Sequence, residues 1–574
     1  MHQINTWTAS TAKWAITSPK SLLAFALAII AITVIANLPG DLSPAGKLSL
    51  GVFALTVIGW TLTKLNDTFV ALFAACGLVI SRTISTENFF SSLGNSVVWL
   101  MIGAFVVANA LNKSGVSARL TTLAVRNARN VGQLFYVLTS VLLVSALLIP
   151  STSARAALMI PIYLAMATAF NDARLNRALA ILLPVVILQT AIASLIGAGA
   201  HLVINDVLAQ LTGRSLSFFQ WLLMGLPFAA ISAFGTTWVI LRLFLDKERR
   251  ALPLNEQTLP SLPCSNVWSR EERFVTAIAV TMTILWATEP LHGVDNALVA
   301  VLGALAVTLP GVGPIKFKDA AKGVEWEMII FVAATLSLSE ALVSSGAGKW
   351  LVDQLLVRSG VASLGSTLLA IGAVAAITLT SHLYIASRSA RGAVIAPLTV
   401  LLAFTLGVDP IVLSFVTAAG VGYCVTLVAS AKPLAMFQRI GGSEATHTFG
   451  ASDLVKLSAL LAPAHVVLIV LFGVLYWPLF GSGAHPLTVA QAASSAEAQV
   501  RSDAPPMVTG LPGLRRGGSF VEGALLIQSG IANVGGRLVL ARPTQCACVS
   551  PPAVHSDRLS WTGAPLIVAP TLPG

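Results

Sequence analysis

Apolar stretches of about 20 residues alternate with short polar segments along most of this chain. A helix of about 20 apolar residues is long enough to cross the roughly 30 Å hydrocarbon core of a bilayer. The pattern therefore predicts an all-α polytopic membrane protein. Its eleven predicted spans cover residues 21–37, 47–63, 67–81, 96–111, 180–209, 218–243, 274–290, 295–309, 326–343, 411–437 and 456–480.

Two further apolar stretches, at 131–170 and 364–405, are about twice as long as one span. Each is interrupted near its middle by Pro, Ser or Thr, which makes one straight helix unfavourable. We expect each stretch to form a re-entrant hairpin that returns to its own side of the membrane.

The basic residues indicate the orientation. With a cytoplasmic N-terminus, the cytoplasmic segments 1–20, 64–67, 112–133, 171–179, 245–273, 310–325 and 438–456 hold 19 Lys and Arg, whereas the opposite loops before the tail hold five. This asymmetry follows the positive-inside rule. It predicts an inner (plasma) membrane protein whose C-terminus lies on the opposite side.

The same pattern divides the chain into five parts. They are a cytoplasmic N-terminal segment (1–20), a first transmembrane repeat (21–244), a cytoplasmic linker (245–273), a second transmembrane repeat (274–480) and a mostly disordered tail (481–574). Within the tail, the stretch 523–542 could form a short helix or strand.

Composition agrees with this fold class and excludes others. Hydrophobic residues make up 56% of the chain and charged residues 10%, with a mean hydropathy of +0.82. The net charge of +11 comes from residues in loops rather than from one basic face, so nucleic acid is not an expected partner. The sequence shows no paired carboxylates, zinc-ligand spacing or nucleophile elbow, and no enzyme or cofactor is predicted.

A short motif occurs twice. The segment 151–161 (STSARAALMIP) matches 387–397 (SRSARGAVIAP) at both serines, the first alanine, the arginine, the next shared alanine and the proline. The segment 195–201 (LIGAGAH) corresponds in order to 427–433 (LVASAKP). By the predicted topology the two hairpins enter from opposite sides, so the repeats have inverted topology, as in alternating-access transporters with broken helices.

The repeated segments predict an anion site. Helix N-termini at hairpin tips expose backbone N–H groups that attract anions, and the predicted tip residues are Ser151, Thr152, Ser153, Ser387, Arg388 and Ser389. Arg155 and Arg391 fall in the first turn after each tip, where a cation is disfavoured unless an anion binds it. The predicted helix breaks add Gly197, Gly199, His201, Ser430 and Lys432.

Structural interpretations of these residues remain open. The serines could only cap helices, and the arginines could only bind carbonyl groups and stabilise packing. His201 and His382 are typical of hydrogen-bonded structural histidines as much as of proton carriers. The carboxylates Glu289, Asp295, Glu325, Glu327 and Glu340 lie at span ends or on one helix face and are assigned no role.

From about Leu22 to Phe480 the chain resembles the divalent anion/sodium symporter family, the bacterial relatives of dicarboxylate, citrate and sulfate carriers. The resemblance places the family's two Ser-Asn-Thr tips at Ser151–Ser153 and Ser387–Ser389, and its two helix breaks at Ala198–His201 and Ser430–Pro433. It implies a scaffold domain that forms a homodimer and a mobile domain that moves like an elevator. It also implies sodium near Ser151, Ser153, Gly197, Ser389 and Ser430.

The chain departs from the family pattern at several of these positions. Both tip asparagines are absent, and Arg155 and Arg391 replace what is usually a small or hydroxyl residue. We hypothesise that the charges of Arg388 and Lys432 take over part of the role of a sodium ion in the second repeat. The coupling ion is then a sodium ion or a proton, or the carrier exchanges anions.

The leading interpretation is a secondary transporter of small di- or tricarboxylates in the lipid bilayer. An alternative is a permease for sulfate or another inorganic oxyanion. A further one is a cation/proton antiporter or arsenite-type permease, which a buried carboxylate in the broken helices would favour; the pattern indicates none. The last is a membrane sensor that no longer transports.

Overall fold

The computed structural model describes residues 19–38, 42–116, 119, 128–254, 268–354, 366–440 and 448–481, and the backbone of 526–527, 531–534 and 537–540. The predictions for residues 1–18, for 255–267 of the linker and for most of the tail lie outside the described residues. The chain forms two compact units, Met1–Glu497 and Ala498–Gly574.

The first unit is helical. Before the linker its helices are α1 (Pro19–Ala36), α2 (Pro44–Leu62), α3 (Asp67–Ile80), α4 (Thr86–Ser91), α5 (Ser96–Lys113), α6 (Val131–Leu148), α7 (Thr152–Phe170), α8 (Ala173–Thr190), α9 (Gly199–Thr212), α10 (Phe218–Phe244) and α11 (Lys247–Ala251).

After the linker they are α12 (Arg270–Ala287), α13 (Glu289–His292), α14 (Asn296–Val307), α15 (Phe317–Lys322), α16 (Trp326–Ser344), α17 (Ala347–Val352), α18 (Thr367–Thr380), α19 (Arg388–Leu406), α20 (Pro410–Gly422), α21 (Lys432–Arg439) and α22 (Ala451–Leu475). Short 3-10 turns occupy Ser92–Gly94, Ala191–Ala193, Leu195–Gly197, Ser381–Leu383, Val428–Ser430 and Trp477–Phe480.

The second unit contains a small antiparallel sheet. Its strands are β1 (Leu526–Ile527), β2 (Ile531–Val534) and β3 (Arg537–Leu540), paired in the order β1-β2-β3. They fall within the stretch 523–542, for which the sequence left helix and strand open.

The membrane-spanning architecture is confirmed. In the part of the chain that the structure describes, nine helices are long and apolar enough to cross a membrane, and further apolar helices of 10–17 residues accompany them. Each predicted span coincides with a helix to within a few residues at its ends, and the spans 180–209 and 411–437 are each interrupted. The first unit is therefore an all-α polytopic membrane protein, as predicted.

Both hairpins form where the sequence predicts them. Helix α6 ends at Leu148, just before Pro150, because the position that precedes a proline disfavours helical backbone. Helix α7 then begins with Ser151 as its N-cap, whose side chain accepts the N–H of Ala154 at 3.2 Å. In the second hairpin, Ser387 caps α19 by accepting the N–H of Ala390 at 3.3 Å. The two tips thus share one capping geometry.

The two helix breaks also share their geometry. Each consists of a 3-10 turn followed by one extended residue that starts the next helix: Ala198 (φ −156°, ψ 146°) before α9 and Ala431 (φ −155°, ψ 134°) before α21. The same order of elements, a long helix, a hairpin and an interrupted helix, therefore occurs twice.

The repeats have opposite orientation. Five described membrane passes separate the hairpins: the interrupted helix α8–α9, then α10, α12, α14 and α16. An odd number of passes between two hairpins that each return to their own side means that they enter from opposite faces. The division of the chain at residues 244 and 274 stays a prediction.

The repeats pack across each other rather than side by side. Helix α5 of the first repeat packs against α14 of the second, and α3 packs against α16. The break helix α9 packs against α19, which follows the second tip, and α21 packs against α7, which follows the first. This exchange brings both tips and both breaks into one region.

The contact between α5 and α14 depends on Gly103. A Cβ at this position would lie 2.5 Å from the backbone carbonyl of Ala300. We expect Gly103→Ala to lower the melting temperature, because separating two packed helices costs about 1–3 kcal/mol. Gly235→Ala, in α10 with open space around it, should instead keep or raise the melting temperature through its higher helix propensity. Equal shifts for both variants would contradict this packing.

The packing of α9 against α19 can be tested by cross-linking. A Cβ at Gly392 would lie 3.3 Å from the Cβ of Ala200, close to the separation in disulfides. In a background without the native cysteines, the pair Ala200→Cys and Gly392→Cys should form a disulfide on mild oxidation. After cleavage at a protease site inserted in 255–267, the two halves should stay joined on non-reducing gels.

The matched control joins Gly392→Cys with Gly235→Cys. A Cβ at position 235 would have no atom within 4 Å. No disulfide with residue 392 should form, and the two halves of this control protein should separate. Separation of the Ala200 and Gly392 pair under the same oxidation would show that the second tip helix does not contact the first break.

Candidate functional site

One cavity of about 510 Å³ lies where the tips and breaks meet. Its lining includes the two tips, Ser151–Ser153 and Ser387–Ser389, and the first residues after the breaks, Gly199 and Lys432. The walls come from the start of α3, from α5 and from the start of α16. A volume of this size is within the range of small-molecule sites. The structure therefore brings together four segments that are far apart in the sequence.

The first tip presents a helix N-terminus to the cavity. The first backbone N–H groups of α7 have no partner within the helix, and Thr152 and Ser153 line the cavity. The Ser151 hydroxyl donates a hydrogen bond to Oε1 of Glu325, which precedes α16. A carboxylate of the second repeat thus already binds at the first tip.

The second tip mirrors this arrangement. The Ser387 side chain lies next to the carboxylate of Asp67, the first residue of α3. Arg388, next to it, lines the cavity, and among the described residues neither of its terminal nitrogens has a hydrogen-bond partner. The Ser389 hydroxyl is 3.5 Å from Sδ of Met328.

Arg155 does not line the cavity. Its side chain is buried behind the first tip, where Nε donates to Ser145 Oγ at 3.1 Å, and the terminal nitrogens donate to the Ile187 carbonyl at 3.2 Å, to Thr190 Oγ1 at 2.7 Å and to the Leu142 carbonyl. The sequence analysis took a bound anion to be the partner of this arginine. In the structure its partners are uncharged oxygens of α6 and α8.

Arg391 has the equivalent environment in the second repeat and is also absent from the cavity lining. One terminal nitrogen donates to the carbonyls of Ile385 at 2.7 Å and Ala386 at 3.3 Å, just before the tip. The other donates to the Val421 carbonyl at 3.2 Å and to Cys424 Sγ at 2.6 Å. Direct contact of Arg155 or Arg391 with an anion, as predicted, does not occur in this arrangement.

The breaks contribute unequally. Gly199 packs against the second tip, since a Cβ there would lie 2.6 Å from Met328 Sδ and 3.2 Å from Ser389 Oγ. Ser430 lines the cavity, and its hydroxyl donates to the carbonyls of Cys424 and Leu427. Lys432 lies at the exposed mouth, with Nζ 3.9 Å from Oε2 of Glu327.

Gly197 and His201 lie outside the cavity. A Cβ at Gly197 would meet the Ala191 carbonyl oxygen at 2.0 Å, so this glycine permits the tight turn of the break. His201 is buried, with Nδ1 3.2 Å from the Ser194 carbonyl and its ring packed on Trp221. His382 bridges the Leu379 carbonyl and Thr426 Oγ1. Both histidines are thus in hydrogen-bonded structural environments, which is one of the two interpretations that the sequence left open.

The sequence analysis missed three cavity carboxylates. Asp67, Glu325 and Glu327 all line the cavity, although Glu325 and Glu327 were assigned no role because they lie at a span end. Glu325 binds the tip serine Ser151 of the other repeat, and Asp67 lies next to the tip serine Ser387 of the other repeat. Nothing local in the sequence marks these pairings, because they depend on how the repeats interleave.

One carboxylate also stands in a broken helix, where the sequence analysis expected none. Asp206 lies in α9 and accepts hydrogen bonds from Asn95 Nδ2 at 3.2 Å and from Gln210 Nε2 at 2.6 Å. It does not line the cavity. Its partners are neutral amides, so it forms part of a local network away from the tips.

Electrostatics favour an anion at the tips. Arg388 interacts electrostatically with both Arg155 and Arg391. In the described part of the chain none of these three arginines forms an ion pair with a carboxylate. Together with Lys432 these arginines make four cationic groups, against the three carboxylates that line the cavity among the described residues, Asp67, Glu325 and Glu327. The excess of one positive charge favours an anion at this site.

Comparison with known proteins gives consistent matches. The model of the sodium:sulfate symporter transmembrane region matches residues 19–482. A membrane protein of Cupriavidus necator is 25% identical over 423 residues, which cover 68% of this chain and 81% of that protein. The sodium-dependent dicarboxylate transporter SdcS of Staphylococcus saprophyticus is 21% identical over 436 residues, which cover 71% of this chain and 82% of the relative.

A solved structure supports the fold. The YdaH transporter of Alcanivorax borkumensis superposes with a TM-score of 0.50 at 17% identity, over 81% of this chain and 100% of that chain. At this level of identity the similarity concerns the arrangement of helices only.

Proposed function

Because this chain belongs to the sodium:sulfate symporter family, whose model matches residues 19–482, we propose that it carries small di- or tricarboxylates across the membrane by alternating access. Its relatives are transporters, so the chain is a multi-pass membrane transporter of anions and not an enzyme. The anion binds in the cavity between the two hairpin tips.

The observation that carries this proposal is the meeting of two helix N-termini with an unpartnered guanidinium group. Helices α7 and α19 both begin at the cavity, and Arg388 is the first residue of α19; its terminal nitrogens are buried and have no hydrogen-bond partner among the described residues. Exposed N–H groups and hydroxyls bind carboxylate oxygens, and a guanidinium binds two of them at once.

Two anionic ends suit this site better than one. A carboxylate of the protein itself already lies at each tip: Glu325 accepts a hydrogen bond from Ser151, and Asp67 lies next to Ser387. Each tip can therefore accommodate one carboxylate group of a substrate. The name of SdcS, a dicarboxylate transporter, supports the same substrate class.

The antiporter alternative lacks support at the cavity. This alternative requires a carboxylate in a broken helix, and Asp206 in the described helix α9 is one. It accepts hydrogen bonds from two amide side chains, however, and does not line the cavity. An inorganic oxyanion remains the second candidate, because the family takes its name from sulfate and Arg388 could bind a tetrahedral oxyanion. Competition between succinate and sulfate for binding separates the two substrates.

The cavity opens at the membrane face where α3 and α16 begin. Asp67 is the first residue of α3 and Glu327 the second residue of α16, and these helices begin at the ends of segments 64–67 and 310–325, which the basic residues place in the cytoplasm. We infer that this conformation is open to the cytoplasm of a cell with the carrier in its inner membrane. Elevator-type movement of the hairpins in a homodimer then exposes the site on the other side.

Arg388→Gln tests the anion site. Loss of a charge-assisted hydrogen bond worth about 1.5–3 kcal/mol should weaken anion binding about 10- to 100-fold. The measurement is the rise in melting temperature of the purified protein with added succinate, citrate or sulfate, since a ligand that binds the folded state stabilises it. Uptake of the same anion into proteoliposomes should fall in parallel.

The matched control is Arg439→Gln. Arg439 is exposed in the last turn of α21 and does not line the cavity, so its loss should leave binding unchanged. If Arg388→Gln binds every anion as tightly as the unaltered protein does, Arg388 is not a ligand. If none of the anions stabilises the unaltered protein, the proposed substrate class is wrong.

A further inference from the structure

The family implies a coupling sodium ion, and the structure allows its fit to be tested. In carriers with broken helices, the coupling cation is held by carbonyl oxygens of unwound backbone and by the C-terminal ends of half-helices. In the second repeat, carbonyls of this kind are those of Ile385 and Ala386 in the backbone before α19 and that of Val421 at the end of α20. All three accept hydrogen bonds from the guanidinium of Arg391. A protein cation therefore occupies the oxygens that an external cation requires.

The first repeat shows a related arrangement, in which the hairpin carbonyl lies inside a helix. The guanidinium of Arg155 binds the Leu142 carbonyl in α6, the first helix of the hairpin, and the Ile187 carbonyl in the last turn of α8. Thr190 Oγ1 at 2.7 Å completes the set. Each repeat thus links its own hairpin to its own interrupted helix through one guanidinium. The individual partners differ between the repeats, but both guanidinium groups make the same kind of link.

The hydrogen-bond partners of these groups carry no charge, and Asp67 interacts with Arg391 electrostatically without forming an ion pair. Their partners are carbonyl, hydroxyl and thiol groups, and in the described residues neither arginine is paired with a carboxylate. Both are buried directly behind a helix N-terminus that faces the cavity. Their charge therefore adds to the positive end of the helix dipole, which is where a bound sodium ion would otherwise contribute.

We propose that Arg155 and Arg391 are built-in cations that replace the coupling sodium ions, so that anion binding to this carrier does not require sodium. This inference rests on the proposed function. It assigns the charge that replaces sodium to the two buried arginines, whereas the sequence analysis assigned it to Arg388 and Lys432. Lys432 is exposed and pairs with Glu327, and Arg388 is free to contact the anion.

The consequence for transport follows from linkage. A sodium gradient drives an anion only if sodium and anion change each other's affinity. An arginine cannot leave the protein, so its charge returns with the hairpin in every transport cycle. It therefore cannot couple anion transport to a sodium gradient. The carrier then runs on the anion gradients themselves, by exchange of one anion for another.

The test measures anion binding to the full-length purified protein in sodium chloride and in choline chloride. Succinate and sulfate are the probes, and the rise in melting temperature is the readout. For the unaltered protein, the apparent dissociation constant of the anion should differ less than about threefold between the two salts. Strict dependence on sodium would overturn the proposal, and this part of the experiment needs no variant.

The double variant Arg155→Ser and Arg391→Ser supplies the second arm. Without the built-in cations, binding in choline should weaken more than about tenfold and should recover in part when sodium is added. Arg155→Lys with Arg391→Lys keeps the charge and should stay independent of sodium even where hydrogen bonds are lost. Arg177→Ser, on the surface of α8, is the control and should behave as the unaltered protein does.

The outcomes separate this inference from the proposed function. Anion binding that needs sodium contradicts the built-in cations and leaves the anion carrier intact. Absence of anion binding in both salts contradicts the anion carrier itself. If the serine variants do not fold, the lysine variants and the salt comparison on the unaltered protein still decide the question.

Discussion

Backbone N–H and C=O groups inside a bilayer need partners within the protein, and this requirement shapes the whole transport unit. The chain interrupts its helices at two tips and two breaks, and each interruption frees such groups. Serine caps take up part of the N–H groups, and two buried guanidinium groups bind freed carbonyls at the ends of α8 and α20. The N–H groups that remain face a single cavity. The site is therefore the place where the fold concentrates its unpaired donors.

Charge is divided between two layers of this site. Arg155 and Arg391 lie behind the tips and donate to uncharged oxygen and sulfur atoms, while Arg388 lines the cavity. From the opposite repeat, Glu325 binds Ser151 and Asp67 lies next to Ser387. Each hairpin therefore has two sets of contacts. An arginine links it to its own interrupted helix, and a carboxylate links it to the other repeat. The arginine contacts are within a repeat, and the carboxylate contacts are those that a movement of the hairpins would have to break.

The sequence predicts the architecture well because its signals are local. Pro150, the repeated serines and the glycines near 197–199 mark interruptions in otherwise apolar helices, and the structure has them at those places. The positions of Arg155 and Arg391 were also found, but not the direction of their side chains. Helical side chains lean toward the N-terminus, so both arginines reach back past the tip to carbonyl groups rather than into the cavity. Asp67, Glu325 and Glu327 could not be predicted, because only the interleaving of the repeats brings them to the tips.

The central claim is that both tips and Arg388 bind one anion in one cavity. Anomalous X-ray diffraction from crystals soaked with bromosuccinate or selenate locates the anion directly. The account predicts one strong anomalous peak in the cavity, with the anion in hydrogen-bond contact with Arg388 and with the first turns of α7 and α19. Anomalous peaks confined to other parts of the protein, with the cavity free of anion, would contradict it.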